Sequence, residues 1–266
     1  MRLPVRSQAR DSSWRAALST FTVIPAGGPR MIDPETASRI TMWLPPVGAL
    51  LAAPAAGIML AVEAGGDSPP RRLLGASLAI AALALLTGGL HLDGLADTAD
   101  GLGSRRPANE ALDIMRRSDT GPMGVAALML TLLVQVTSLA SLRPGWLSAA
   151  ALSTAVITSR VGVLLASGSP AARPGGFGAL IAGTTTRAAR WTAAVVLLGI
   201  VGAAGAAAGG PPLAARGLAA AVSGLAVAGL LRRSAGRRLG GMTGDVFGAL
   251  IELSTATVLL VTVLSG

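Results

Sequence analysis

Long apolar runs alternate with polar connections along this chain, and the runs set the expected architecture. Stretches near or above the ~18 residues that mark a membrane-crossing helix occupy 43–62, 73–90, 122–142, 146–167, 191–209 and 246–265, with a shorter one at 218–231. They predict an all-α, polytopic integral membrane bundle of about seven transmembrane helices, forming one domain over 1–266. The short sixth run either extends back through Arg216 or is tilted and partly re-entrant. Three long polar loops survive between runs, at 88–121, 168–190 and 232–245, and with alternating crossings all three fall on one face.

Ahead of the first run, residues 1–42 carry arginines and then "AALSTFTVIPAGG". This pattern fits a cleaved signal peptide or an amphipathic helix lying in the interface. The apolar part is short and holds a proline, which favours a cytoplasmic, interfacial N-terminal segment.

Composition supports the membrane reading, since 52% of residues are apolar and only 13% are charged, far from the balance of a soluble domain. Aromatic residues make up 3% of the chain, so helix contacts are expected to rest on close approach between Ala and Gly backbones. There is no cysteine, and His91 is the single histidine. Thiolate sites and all-imidazole zinc sites are thereby excluded, and any metal must be held by oxygen.

The net charge of +9 comes from basic residues that are all arginine. It could attract polyanions or fix membrane orientation. In so apolar a chain the second reading takes precedence, and no nucleic-acid partner is expected. With a cytoplasmic N-terminus, seventeen arginines fall on inner segments (2, 6, 10, 15, 30, 39, 105, 106, 116, 117, 173, 187, 190, 232, 233, 237, 238) and four on outer ones (71, 72, 143, 216). That is the bias of the positive-inside rule, and it turns the long loops toward the cytosol.

The chemistry concentrates in "GGLHLDGLADTADGLG", residues 88–103, which places Asp93, Asp97 and Asp100 within eight positions. On a helix these lie within about 40° of one direction. The glycines complicate that expectation, because each costs roughly 1 kcal/mol of helix propensity, and part of the stretch could be a loop around a ligand. Three clustered carboxylates repel unless a cation sits among them, and oxygen clusters select Mg²⁺ or Mn²⁺. The plainer alternative pairs them with Arg105, Arg106, Arg116 and Arg117 on a solvated loop. Acids facing lipid would be untenable, so the three face the cytoplasmic edge or the bundle interior. His91 would point nearly the other way, as a base, a phosphate contact or an ordinary interfacial histidine.

Together with "ALDIMRRSDTGPMGVAAL" (111–128), this stretch resembles the signature region of the cobalamin synthase family, the adenosylcobinamide-GDP ribazoletransferases. Further similarity lies at 17–25, around Arg160, at 170–183 and at 240–253, so it covers nearly the whole chain. The resemblance implies a multi-pass inner-membrane transferase that depends on a divalent cation. It joins adenosylcobinamide-GDP to α-ribazole, or to α-ribazole 5′-phosphate, with release of GMP, in the last step of nucleotide loop assembly. One segment departs from the family pattern: 115–121 read Met-Arg-Arg-Ser-Asp-Thr-Gly, with acid and base exchanged between positions 117 and 119. An ion pair between Arg117 and Asp119 would tolerate that exchange.

Phosphoryl transfer at a diphosphate needs anionic charge neutralised by metal and by positioned donors. The candidate metal ligands are Asp93, Asp97 and Asp100, with Mg²⁺ or Mn²⁺ as cofactor. Candidate catalytic groups are Asp93, Asp97, His91 and Asp245, the last as a fourth ligand or as the base for the ribazole hydroxyl. Arg116 and Arg117 can bind phosphate in a bidentate manner, with Ser118 between them and Asp119. Arg160, a further substrate-binding candidate, lies inside a span and must face a polar cavity or pair with an acid such as Glu252. Gly175, Gly176 and Thr243 lie in glycine-rich turns whose backbone can approach a ligand. Expected partners are the corrinoid-GDP, α-ribazole and membrane lipid; the oligomeric state is not encoded in any motif. Two rival classes fit the same pattern. One is an ion or solute transporter, and the other is a different Mg²⁺-dependent membrane phosphotransferase, such as a CDP-alcohol phosphotransferase.

Overall fold

A computed structural model describes residues 5–27 and 33–266, with the backbone alone described at 5–12, 34 and 177. Arg2 and Arg30 lie outside the described residues. Among the described residues the chain forms eleven helices: α1 (Val5–Phe21), α2 (Pro34–Met42), α3 (Leu44–Glu63), α4 (Pro69–Leu86), α5 (Leu90–Gly103), α6 (Ala108–Ile114), α7 (Pro122–Ser141), α8 (Trp146–Ala166), α9 (Gly176–Ile181), α10 (Arg187–Arg238) and α11 (Gly244–Leu264). Among the described residues, six stretches are long and apolar enough to cross a membrane: 35–63, which joins α2 to α3, then α4, α7, α8, α10 and α11. The all-α membrane class expected from the runs is the one observed.

The seventh arm comes from α10, which folds back on itself. Gly209 and Gly210 leave helical geometry (φ −161° and +72°), and Pro211 and Pro212 follow. A Cβ on Gly205 would lie 2.7 Å from the Cα of Ala214, whereas nine residues of continuous helix would separate them by about 13.5 Å. The two halves therefore run antiparallel. The return arm starts at 211, so the short run at 218–231 does extend back through Arg216.

Local chemistry fixes the other boundaries. α4 stops at Leu86, earlier than the apolar run suggested, because Gly88 and Gly89 both adopt positive φ (61° and 74°) and turn the chain into α5. α7 and α8 begin at Gly121 and Gly145, which carry no side chain to cap the free amides. Carboxylates from other helices do so instead. The amides of Gly121 and Gly124 donate to Asp100 (2.7 and 2.8 Å), and that of Gly145 donates to Glu63 (2.7 Å). An acid at a helix N-terminus also meets the favourable end of the helix dipole.

α8 and α11 form the centre. α11 packs on α5, α7, α8 and α10, and α8 also holds α3. At least 61% of the apolar window of each is buried, against 11% for α10, so the α10 hairpin is the outer wall. From Ser13 onward α1 buries one face through Ala16, Ala17, Leu18 and Phe21 and leaves Trp14 and Arg15 exposed. Around this frame, α5, α6, α9, the 167–175 loop and both ends of α10 gather at one end of the bundle. Arg143 and Arg216 line a pocket at the other end.

Candidate active site

Residues 90–103 are helical throughout, as α5, after the turn at Gly88 and Gly89, so Asp93, Asp97 and Asp100 share a face. Their glycines do not break the helix because tertiary contact replaces the lost propensity. Gly94 lies against the first turn of α11, where an added Cβ would sit 2.7 Å from the carbonyl oxygen of Asp245. Gly248 of α11 approaches the backbone of His91 in the same way. This close seam brings the acids of α5 beside Asp245, some 150 residues later in the chain.

Asp97 stands in the middle of this cluster. Burial, followed by the charges of Asp93, Asp245 and Asp100, pushes its carboxyl up to about 6, with Arg173 opposing. Asp93 is exposed, while Asp97 and Asp100 are half-buried. Asp245 is held from two sides. Thr243 donates its hydroxyl to Oδ2 at 3.1 Å, and a guanidinium nitrogen of Arg173 lies 3.7 Å from the same oxygen. Thr243 in turn caps α11 by accepting from the amide of Val246 (3.2 Å). Arg173 also donates to the carbonyl of Leu112 (3.3 Å), which ties its loop to α6.

Four carboxylates thus face one another across a rim that has one close guanidinium. The rim carries surplus negative charge, and its donors are all hard oxygens, so the donor set suits a divalent cation. Among the described residues no three acids converge tightly enough to form a ready-made ion cage. Asp100 already accepts two amides, one on each oxygen, and each oxygen retains a further lone pair.

The other sequence candidates are placed as follows. Arg116 is exposed and turns to Asp113 (3.7 Å). Arg117, Ser118 and Asp119 are exposed, and no ion pair joins 117 to 119 among the described residues. The pairing that would have tolerated the exchange is therefore not formed among the described residues. Gly175 and Gly176 have positive φ and open surroundings at the start of α9. Gly178 packs closely on the backbone of Thr243.

His91 and Arg160 belong to a second, sealed cluster deeper in the bundle. Both line a cavity of about 20 Å³ together with Gln135, Glu252 and Thr255, room for roughly one water molecule. Burial and then Arg160 hold the His91 imidazole well below its usual value, so it is neutral. Arg160 donates to the carbonyl of Val156 (3.2 Å) and the hydroxyl of Ser159 (3.0 Å). Glu252 accepts from Gln135 at 2.8 Å. Arg160 and Glu252 face the same cavity without a contact below 4 Å among the described residues, so the polar-cavity expectation holds and the direct pair does not form. Sequence reasoning missed Gln135, although a polar residue in mid-span marks such a site. It also missed Arg173, which was visible only as one more inner arginine.

A family model described as Cobalamin-5-phosphate synthase matches residues 13–263. The chain belongs to the cobalamin-5-phosphate synthase family. Adenosylcobinamide-GDP ribazoletransferase of Frankia casuarinae is 39% identical, over 93% of this chain and 92% of that protein. The proteins of the same name from Bradyrhizobium diazoefficiens and Nocardioides sp. are 38% and 37% identical, over 93% and 94% of this chain and 91% and 97% of theirs. No solved structure matches. The match to the cobalamin-5-phosphate synthase family takes in α3 to α10 entirely and nearly all of α11, so every element of the acidic rim and of the sealed cluster lies within it.

Proposed function

We propose that this chain transfers the phosphocorrinoid group of adenosylcobinamide-GDP to α-ribazole, or to its 5′-phosphate, and releases GMP. The reading rests on family membership and on one observation, the surplus negative charge around Asp97. A ribazole hydroxyl oxygen bonds to the corrinoid-side phosphorus, the phosphorus–oxygen bond to GMP breaks, and the hydroxyl proton passes to a carboxylate. Asp245 is the proposed acceptor, because the Thr243 hydroxyl holds its orientation. Asp93, Asp97 and Asp100 would hold Mg²⁺ or Mn²⁺, which would neutralise the diphosphate and stabilise charge on the leaving phosphate. Arg173 is positioned to bind a phosphate oxygen in place of its contact with Asp245.

Arg116, Arg117 and Ser118, exposed near the N-terminus of α7, receive the guanine nucleotide, and the open turn at Gly175 and Gly176 covers it. His91 and Arg160 do not reach the reacting atoms. They brace α5 from below, and His91 is neutral and enclosed. The positive-inside rule assigns the arginine-rich end, and with it the acidic rim, to the cytoplasm of a bacterial inner membrane.

The test is direct. The purified, detergent-solubilised chain is supplied with adenosylcobinamide-GDP and α-ribazole, with Mg²⁺ or with a chelator. Joined corrinoid and GMP should form in equal amounts and only with the cation. Failure to join the substrates under any metal condition would overturn the reading; joining in chelator would remove the metal from it.

A further inference from the structure

A different surface at the same end of the molecule has the features of a ligand site. Between α8 and the two arms of α10 runs a groove of about 780 Å³, within the size range of small-molecule sites. Arg187, Arg190, Arg232 and Arg233 surround one end of it, beside Trp191, and the wall away from them is apolar, with Leu225 at its centre. None of these four arginines has a carboxylate within ion-pair distance among the described residues. Arg190 donates to the carbonyl of Thr185 (2.7 Å) and Arg232 to the hydroxyl of Ser169 (3.1 Å). Arg187 and Arg233 are exposed.

Cationic groups at one end and apolar surface along the remainder match an amphiphile with an anionic head. A soluble nucleotide or free phosphate would satisfy the arginines and leave the apolar wall uncovered. The hairpin that forms the wall is also the least buried of the spanning stretches, so the groove opens toward the bilayer. We propose that this groove is a binding site for one anionic phospholipid, its phosphate held by Arg187 and Arg233 and its acyl chains lying against α8 and α10. Basic pockets between helices are known to recognise such headgroups. Trp191, 56% exposed at the groove mouth, sits where amphipathic rings favour the interface.

The site adjoins the acidic rim through a short piece of chain. Ser169 accepts from Arg232, and Arg173, four residues on, pairs with Asp245. A lipid that fixes the arginine end therefore also steadies the loop that carries Arg173.

The experiment uses the full chain in mixed micelles of equal phosphatidylglycerol and phosphatidylcholine, with retained lipid counted by native mass spectrometry. Phosphatidylglycerol should be retained preferentially. Arg187→Gln with Arg233→Gln should reduce that preference about twenty-five-fold, from roughly fivefold per arginine near a lipid headgroup. Lysine at both positions should restore most of it. Arg105→Gln with Arg237→Gln removes the same charge outside the groove and should leave retention unchanged. Equal retention of the two lipids, an equal loss in the outside pair, or release of the lipid by millimolar inorganic phosphate would each overturn the proposal. The readout is lipid binding, so it is independent of whether the transferase reading holds.

Discussion

Two polar clusters share α5 and α11, and they manage charge in opposite ways. In the sealed one the two groups of opposite charge each have a close neutral partner: Glu252 accepts from the amide of Gln135, and Arg160 donates to a carbonyl and a hydroxyl. At the rim, Asp97 faces three further acids, and a single guanidinium at the cluster's edge leaves their repulsion uncompensated. The sealed cluster is self-sufficient, as interior polar groups in a membrane protein must be. The rim requires something from outside. A structural cluster evolves toward satisfaction, whereas a site that binds a charged ligand keeps its charge unsatisfied until the ligand arrives.

Substitutions at the two clusters should therefore differ in kind. The largest effect is expected from Asp97→Asn, which removes rim charge. Turnover measured by GMP release should fall by about 10²–10³-fold, the range for loss of one electrostatic group at a reacting centre, while thermal stability in detergent stays the same or rises. Arg160→Met should do the reverse. It removes the buried guanidinium's hydrogen bonds to Val156 and Ser159 and a cation facing Glu252 across the cavity, so stability should drop by about 1–3 kcal/mol, read as a lower unfolding midpoint; adding Glu252→Gln should recover part of it.

Next comes the seam between the clusters. Gly94→Ala forces a methyl against the Asp245 backbone, and overpacking of this kind costs about 1–3 kcal/mol. The same change at Gly199, whose surroundings are open, should leave stability and activity intact. Asp100→Ala removes the cap from α7, a loss of about 1 kcal/mol measurable by the same unfolding assay.

The smallest effect is a pH slope in cation-free protein. The Asp97 carboxyl is raised in the folded state from 3.8 to about 6, so the folded form binds the proton more tightly than the unfolded one. Stability should then rise as pH falls from 7 through 6 and be lost again as pH rises. Asp97→Asn should flatten the slope, and saturating Mg²⁺ should shrink it.

The spans were legible because apolar runs of this length have one stable outcome in a bilayer. The return of the α10 hairpin was legible too, since Gly-Gly-Pro-Pro at 209–212 cannot continue a helix. The helical state of residues 90–103 was only half legible. Propensity was right about Gly88 and Gly89, which turn, and wrong about Gly94, Gly101 and Gly103; the contact that offsets it, Gly94 on Asp245, joins positions that local pattern cannot relate. For the same reason the cap of α7 by Asp100 and the pairing of Arg173 with Asp245 were invisible. The placement of His91 away from the three acids followed from helical spacing, but its enclosure with Arg160 depended on α8, which no spacing within α5 predicts.

Because Gly94 rests on the first turn of α11, the two halves of the acidic rim are made at opposite ends of translation. A nascent chain that has inserted everything up to the α10 hairpin has α7 for α5 to pack on, but it holds three aspartates with no Asp245 beside them and lacks the α11 seam. The ribosome must deliver the final helix before the rim exists, so fragments ending short of residue 244 should sit in the bilayer and stay inert.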